Sequence, residues 1–275
     1  MQISVATANY YMLPFEHTLE IIAQAGFQNI ELDLFWEHKT WAMAQHLRGF
    51  APRDVVRLID RAGLKVASIH DGGGVLEAPD SIHGYINPQL MEYLDQLGYA
   101  PDCLVFHTPH IEGTMEPDWW PSFSPKVIAA LEPFRAVCRA VTVENMPHLD
   151  GYHVPLITPE ELLAFTCQAG VGINLDTTHY AYMNVDITQA ARQLYGNVQT
   201  VHLSDFLAGK LHVFIGEGEL NFRDFFRAID FSALRLITLE CSPIYPGETM
   251  DQMDTTALAQ RLQTARARMQ AWLQN

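Results

Sequence analysis

Six residues that could bind a divalent cation recur through the sequence at similar intervals. Each lies at or near the end of a short apolar segment, and successive members are 37, 37, 32, 26 and 38 residues apart. They are His70, His107, Glu144, Asp176, His202 and Glu240. Carboxylate oxygens and imidazole nitrogens are common protein ligands of divalent cations. The spacing predicts that successive copies of one structural unit deliver these side chains to a common site.

Eight short segments rich in Val, Ile and Leu predict β-strands covered on both faces. They are Ile3–Ala6, Asn29–Asp33, Lys65–His70, Cys103–His107, Val141–Asn145, Gly172–Asp176, Val198–Leu203 and Leu234–Glu240. Amphipathic segments between them predict helices, several of which begin at proline, as suits a first helical turn. Ala-Gly-apolar tripeptides precede three of the strands, and glycine at such a position ends a helix.

Eight strand–helix units in 275 residues average about 34 residues each, close to the usual unit of a (β/α)₈ barrel. An open doubly wound sheet is less favoured because no G-x-G-x-x-G follows the first strand. We therefore predict an α/β protein in which residues 1–275 form a single-domain (β/α)₈ TIM barrel. The six residues would then meet at one mouth of the barrel. So many buried carboxylates and imidazoles require a cation to offset repulsion and desolvation.

The overall charge argues against several kinds of partner. The chain has 17 Lys and Arg against 32 Asp and Glu, a formal net charge of −15. We therefore expect no binding to nucleic acid or to anionic membranes. The four cysteines form no C-x-x-C pair, and the N-terminal segment lacks the features of a signal peptide. These features predict a reduced, cytoplasmic protein that acts on a small molecule, and a homo-oligomer is compatible with them.

The motifs around the strand ends resemble those of the xylose-isomerase-like TIM barrel superfamily. They are Val143-Glu144-Asn145, Asp176-Thr177-Thr178-His179, His202-Leu203-Ser204-Asp205, Gly216-Glu217-Gly218 and Leu239-Glu240. This superfamily includes ketose 3-epimerases, inosose isomerases and dehydratases, dehydroshikimate dehydratases and endonuclease-IV-type enzymes. The resemblance covers essentially the whole chain, and it specifies the superfamily better than the substrate.

The resemblance implies roles for individual residues. Glu144, Asp176, His202 and Glu240 match the metal ligands of the epimerase branch, and His179 matches its substrate-contacting histidine. Three histidines match additional zinc ligands of the endonuclease branch, namely His70, His107 and His212. That branch also has an aspartate two residues before the last of these, where this chain has Lys210. The cation at this position argues against a complete three-metal site.

The quartet Glu144, Asp176, His202 and Glu240 suits Mn²⁺, Zn²⁺, Co²⁺ or Mg²⁺, and the ligand types do not choose among them. A divalent cation there could polarise a substrate carbonyl and stabilise an enediolate. Glu144 and Glu240 could then act as base and acid on opposite faces of the substrate. The leading hypothesis is a metal-dependent isomerase or epimerase of a small sugar, ketose or polyol. Alternatives are a lyase acting on a keto-polyol or cyclic hydroxy acid, and a phosphodiesterase that uses His70 and His107.

Four further regions are candidates for contact with substrate. Lys210 could neutralise a substrate carboxylate or phosphate, or lie in solvent, and Asp205 could orient His202 or Lys210. Trp119 belongs to the long aromatic segment 111–125, which could be a lid over a sugar ring or a packed surface. Segment 71–86, with several glycines, is a second possible lid. Phe35-Trp36-Glu37-His38 follows the second strand and could add pocket wall.

Overall fold

The computed structural model describes residues 1–35, 46–245, 248–250 and 253–274. Of the pocket wall expected after the second strand, Phe35 is described, whereas Trp36, Glu37 and His38 lie outside the described residues.

The structure confirms the predicted (β/α)₈ barrel. Eight parallel strands form a closed barrel. They are β1 (Gln2–Ala6), β2 (Asn29–Leu34), β3 (Lys65–Asp71), β4 (Cys103–His107), β6 (Val141–Glu144), β8 (Gly172–Asp176), β9 (Val198–Leu203) and β12 (Leu236–Leu239). Around the barrel they follow in the order β1-β12-β9-β8-β6-β4-β3-β2. The remaining described strands form two short antiparallel sheets: β5 (Ile111–Glu112) pairs with β7 (Tyr152–His153), and β10 (Asp205–Leu207) forms a hairpin with β11 (Lys210–Val213). The predicted strands agree with the barrel strands to within two residues at each end, whereas the two short antiparallel sheets were not predicted.

α-Helices lie in the connections between barrel strands and after the last strand. They are α1 (Phe15–Gln24), α2 (Pro52–Arg61), α3 (Leu90–Leu97), α4 (Trp119–Leu131), α5 (Pro159–Ala169), α6 (Thr177–Tyr182), α7 (Ile187–Gln193), α8 (Phe222–Ala228) and α9 (Thr255–Leu273). Local sequence sets their ends. In α5, for example, Thr158 and Glu161 form a capping box, and Gly170 adopts φ 64° just after the last turn. In the described ranges, no helix combines the length and the apolar character needed to cross a bilayer.

The interior of the barrel is polar beneath the mouth. Thr142 Oγ1 lies 3.3 Å from Thr200 Oγ1, and Thr238 Oγ1 donates to Glu31 Oε2 at 3.4 Å. Each pair joins strands that are not neighbours in the barrel order, so these bonds cross the lumen. Apolar residues that alternate with such polar ones, such as Leu32, pack in the core shared with the helices. The strands therefore present a hydrogen-bonded layer inside the barrel and an apolar layer outside it.

Candidate active site

The predicted quartet meets at the C-terminal mouth of the barrel. Glu144 ends β6, Asp176 ends β8, His202 is the last residue but one of β9, and Glu240 directly follows β12. One ligand atom from each lies within 4.8 Å of the others. All four side chains are buried. These four strands are consecutive in the barrel order, and they thus bring three carboxylates and one imidazole together.

Several atoms at the centre of the quartet have no hydrogen-bond partner in the part of the chain that the structure describes. They are Glu144 Oε1, Asp176 Oδ2, His202 Nδ1 and Glu240 Oε2. His202 Nδ1 lies 2.9 Å from Glu240 Oε2 and 3.2 Å from Glu144 Oε2. Ligand atoms about 2.1 Å from one ion lie roughly 3.0–3.4 Å from each other. The residues present therefore fit a divalent cation.

Burial and neighbouring charges oppose each other in the quartet. Burial raises the pKa of Glu240, although His202 partly offsets this effect. Burial would also raise the pKa of Glu144. The imidazoles of His202, His179 and His70 outweigh this effect and hold the pKa of Glu144 well below its usual range. Burial alone would lower the pKa of His202, but the surrounding carboxylates raise it well above the usual value. The carboxylates thus require positive charge among them, as protonated imidazoles or as a bound cation.

The D-x-x-H motif places His179 against the quartet. Asp176 is the N-cap of α6, and its Oδ1 accepts the backbone N–H of His179 at 2.7 Å. Nδ1 of His179 lies 2.9 Å from Asn145 O and 3.1 Å from Glu144 Oε1. A helix cap therefore brings this side chain to the mouth, where it is 7% exposed.

The structure also brings His70 and His107 beside Glu144. His70 Nε2 lies 3.3 Å from Glu144 Oε2. The ring centroids of His70 and His107 are 4.7 Å apart. His107 Nδ1 lies 3.3 Å from Gly73 O. His70, His107 and Glu144 form a second group whose ligand atoms are within 4.8 Å of one another. This geometry is compatible with a second ion as well as with a pocket wall.

His212 approaches the quartet from the hairpin of β10 and β11. Its backbone adopts φ 52°, an uncommon value for a residue with a side chain. Nδ1 lies 3.1 Å from Glu240 O and 3.3 Å from Ser204 Oγ. Together with Asp176 and His179 it forms a third group of possible ligands. Lys210, on the same hairpin, is exposed, and its contact with substrate stays a prediction.

Asp205 has a different environment from the one expected. Its two carboxylate oxygens accept backbone N–H groups from Phe206, Gly216, Gly218 and Leu220 at 2.9–3.1 Å. Within the described ranges it makes no ion pair with His202 or Lys210. A carboxylate can accept several hydrogen bonds at once, so Asp205 organises the loop that follows β9. The expectation that it orients either residue is corrected accordingly.

Trp119 packs inside the layer of loops above the barrel. Its Nε1 donates to Pro79 O at 2.7 Å, and its ring stacks on Phe123 at 5.0 Å and meets His153 edge-on at 5.3 Å. It is 8% exposed. These contacts join segment 71–86 to α4 and to β7. They favour the packed-surface alternative, and the direct contact with substrate stays a prediction.

Three buried residues next to the site were not singled out from the sequence. Glu31 and Asp33 alternate on β2 and contact His202 and His70 respectively. Asn174 donates from Nδ2 to Glu144 Oε2 at 3.1 Å. The sequence does carry a signal for Glu31 and Asp33, because these two carboxylates alternate with apolar residues in the strand segment NIELDL. Such alternation indicates charged side chains on one face of a strand that is otherwise buried.

Comparisons with known proteins place this architecture. No curated protein sequence matches the chain. An L-ribulose 3-epimerase structure is 20% identical, with 99% of this chain and 94% of the other covered at a TM-score of 0.66. The IOLI protein, solved with a bound zinc atom, is 17% identical. The match covers 99% of this chain and 98% of the other, at a TM-score of 0.70. A family 2 AP endonuclease from Brucella melitensis is 16% identical. The match covers 94% of this chain and 97% of the other, at a TM-score of 0.66.

These structures share the fold of the chain, and the sequence itself identifies its family. The model of the xylose isomerase-like TIM barrel family matches residues 19–264, and the protein belongs to this family.

Proposed function

We propose that the protein is a divalent-metal-dependent isomerase or epimerase of a small sugar, ketose or polyol. The observation that carries the proposal is the set of ligand atoms from Glu144, Asp176, His202 and Glu240 at the mouth of the barrel that have no hydrogen-bond partner among the described residues. Structures of similar fold include a sugar 3-epimerase and a zinc-binding protein, which supports an enzyme of this kind.

The quartet would hold the cation. When bound, a divalent cation supplies Lewis-acid polarisation of a substrate carbonyl and offsets the charge of the three carboxylates. Asn174 holds Glu144 Oε2 at 3.1 Å, and Thr200 Oγ1 in turn donates to Asn174 Oδ1 at 2.7 Å. This chain of hydrogen bonds fixes the position of Glu144 from below.

Glu144 and Glu240 are suited to move a proton at a carbon next to the carbonyl. They project from β6 and from the end of β12, which β8 and β9 separate in the barrel order. One carboxylate would take the proton while the electrons of the C–H bond shift towards the carbonyl oxygen. The other, protonated, would return a proton to the opposite face of the carbon. The carbon thereby inverts without any net gain or loss of atoms.

In this proposal His179 would bind a substrate hydroxyl. Its Nδ1 is held 2.9 Å from Asn145 O, which leaves the second ring nitrogen for a hydrogen bond at the mouth. A hydroxyl bound there would fix the orientation of the carbon chain relative to Glu144. Such positioning of the reacting carbon against the base is a major source of catalytic rate.

Proton exchange tests the proposal directly. Metal-free protein is loaded with Mn²⁺, Zn²⁺, Co²⁺ or Mg²⁺ and incubated in D₂O with ketoses, inososes and keto acids, and NMR follows the carbon-bound protons. We expect deuterium to enter one carbon next to a carbonyl, with formation of an epimer or isomer. The matched control is Asp176→Ala/His202→Ala, which should bind no metal and exchange nothing. Equal metal affinity in the control would contradict the proposed ligands, and loss of water from the substrate would identify the lyase alternative.

A further inference from the structure

Glu31 lies within the barrel on the far side of His202 from the other carboxylates. It is completely buried, and its Oε1 lies 2.9 Å from His202 Nε2. The opposite ring nitrogen, Nδ1, faces Glu144 and Glu240 at 3.2 and 2.9 Å. Carboxylates therefore flank both nitrogens of this imidazole, one from below and two at the mouth.

Two hydroxyl groups hold Glu31 in this position. Ser68 Oγ donates to its Oε2 at 2.7 Å, and Thr238 Oγ1 donates to the same oxygen at 3.4 Å. Oε1 accepts no hydrogen bond among the described residues, and its short contact with Nε2 lies outside hydrogen-bond directions. Because a buried carboxylate is costly without a donor, a proton on Nε2, 2.9 Å away, would supply the donor that Oε1 needs.

The contact with Glu31 affects which of the two ring nitrogens of His202 carries the proton. A neutral imidazole carries its single proton on one nitrogen and a lone pair on the other. A carboxylate beside Nε2 favours the proton there, and this leaves the lone pair on Nδ1, the nitrogen that faces Glu144 and Glu240. A carboxylate that holds the other nitrogen of a ligand histidine fixes its tautomer and increases its basicity.

We propose that Glu31 is a positioning residue that fixes His202 with its proton on Nε2 and presents Nδ1 to the cation. This inference rests on the proposed metal site. Asp33 offers the matched comparison, because it lies two residues further along the same face of β2 and bonds to His70 Nδ1 at 3.2 Å. His70 lies outside the quartet, so this second carboxylate–imidazole pair should not govern the first ion.

Calorimetric titration of metal-free protein with Zn²⁺ and Co²⁺ tests the proposal. We expect Glu31→Gln to weaken the affinity by about 10–100-fold, while Asp33→Asn leaves it essentially unchanged and both variants keep the fold by circular dichroism. In the zinc-loaded wild type, NMR with ¹⁵N-labelled histidine should place the proton of His202 on Nε2. If Glu31→Gln does not fold, Ser68→Ala serves instead, because it frees Oε2 while keeping the charge, and a smaller loss of affinity is expected.

Four results would overturn the proposal. Unchanged affinity in Glu31→Gln would exclude Glu31 as a positioning residue while the metal site itself stands. A proton on Nδ1 in the zinc-loaded wild type would show that Nδ1 binds no ion, and it would overturn both the proposal and the ligand atom assigned to His202. A fall from two bound ions to one in Glu31→Gln would make Glu31 a ligand, since Glu31, His70 and His202 also lie within ligand distance of one another. Absence of binding by the wild type would remove the metal site and the inference together.

Discussion

The carboxylate of Asp176 connects the backbone of His179 to the quartet. Its Oδ1 accepts the backbone N–H of His179 at 2.7 Å and so begins α6, whereas its Oδ2 faces the quartet without a hydrogen-bond partner among the described residues. One side chain thus connects the candidate metal site to the helix that carries His179.

Substitution of Asp176 should separate these two roles. We expect both Asp176→Asn and Asp176→Ala to lose high-affinity binding of Mn²⁺ and Zn²⁺, because neither supplies the charged oxygen. Asparagine is as good an N-cap as aspartate, so the alanine variant should be less stable than the asparagine variant by about 1 kcal/mol. Calorimetry and urea unfolding of the metal-free variants measure the two effects. Equal stability of the two variants would show that the cap contributes nothing.

Removal of either candidate acid–base group should abolish turnover while the barrel remains folded. In Glu144→Gln and Glu240→Gln the amide can still bind a cation weakly, but it cannot accept a proton at neutral pH. We expect deuterium exchange at the substrate carbon to disappear in both variants, with thermal unfolding close to that of the wild type. If either variant kept near-native exchange, its glutamate would be a ligand only, and the two-faced mechanism would be wrong.

Asp205 should matter for stability more than for metal binding. Asparagine at position 205 has one acceptor oxygen for four backbone donors, so we expect Asp205→Asn to lower the free energy of unfolding by roughly 2–4 kcal/mol. Affinity of the quartet for Zn²⁺ should change little. Gly218→Ala is a second test of the same loop, because a Cβ at position 218 would collide with Asp205 Oδ1. A large loss of Zn²⁺ affinity in Asp205→Asn with normal stability would restore a direct role at the site.

Acid should destabilise the protein in part through His46. Burial against Phe15 lowers the pKa of His46 from 6.5 to about 4. Between these values the unfolded chain binds a proton that the folded protein excludes, so stability falls as the pH drops from about 6.5 to about 4. The loss attributable to this side chain is on the order of 2–3 kcal/mol. Urea unfolding at pH 7 and pH 4.5 should show a smaller loss in His46→Gln than in the wild type, and equal losses would contradict the assignment.

The sequence predicted the barrel and most of the site because both depend on local patterns. Parallel strands are apolar throughout, so their ends are visible, and residues such as Glu144 and Glu240 stand at those ends. The sequence did not predict a role for Glu31, because the prediction rested on residues at strand ends and Glu31 lies inside β2. Its contact with His202 arises from barrel closure and strand register, which bring β2 and β9, separated in the barrel by β1 and β12, within reach of each other across the lumen. The environment of Asp205 likewise depends on backbone amides up to 15 residues away, which no motif indicates.

The remaining question is whether the extra histidines make the protein a nuclease, and the charge around the mouth predicts that they do not. Even six phosphate contacts require several Lys or Arg side chains, and the chain has only 17 in total. The connections around the mouth carry instead exposed carboxylates at Glu77, Asp80, Glu112, Glu116, Asp118 and Asp150. We expect no binding to a duplex with an abasic site at physiological salt, and no cleavage when Zn²⁺ or Mn²⁺ is supplied. Incision by the wild type that disappears in Glu144→Gln would contradict this prediction and would make His70 and His107 ligands of a nuclease centre.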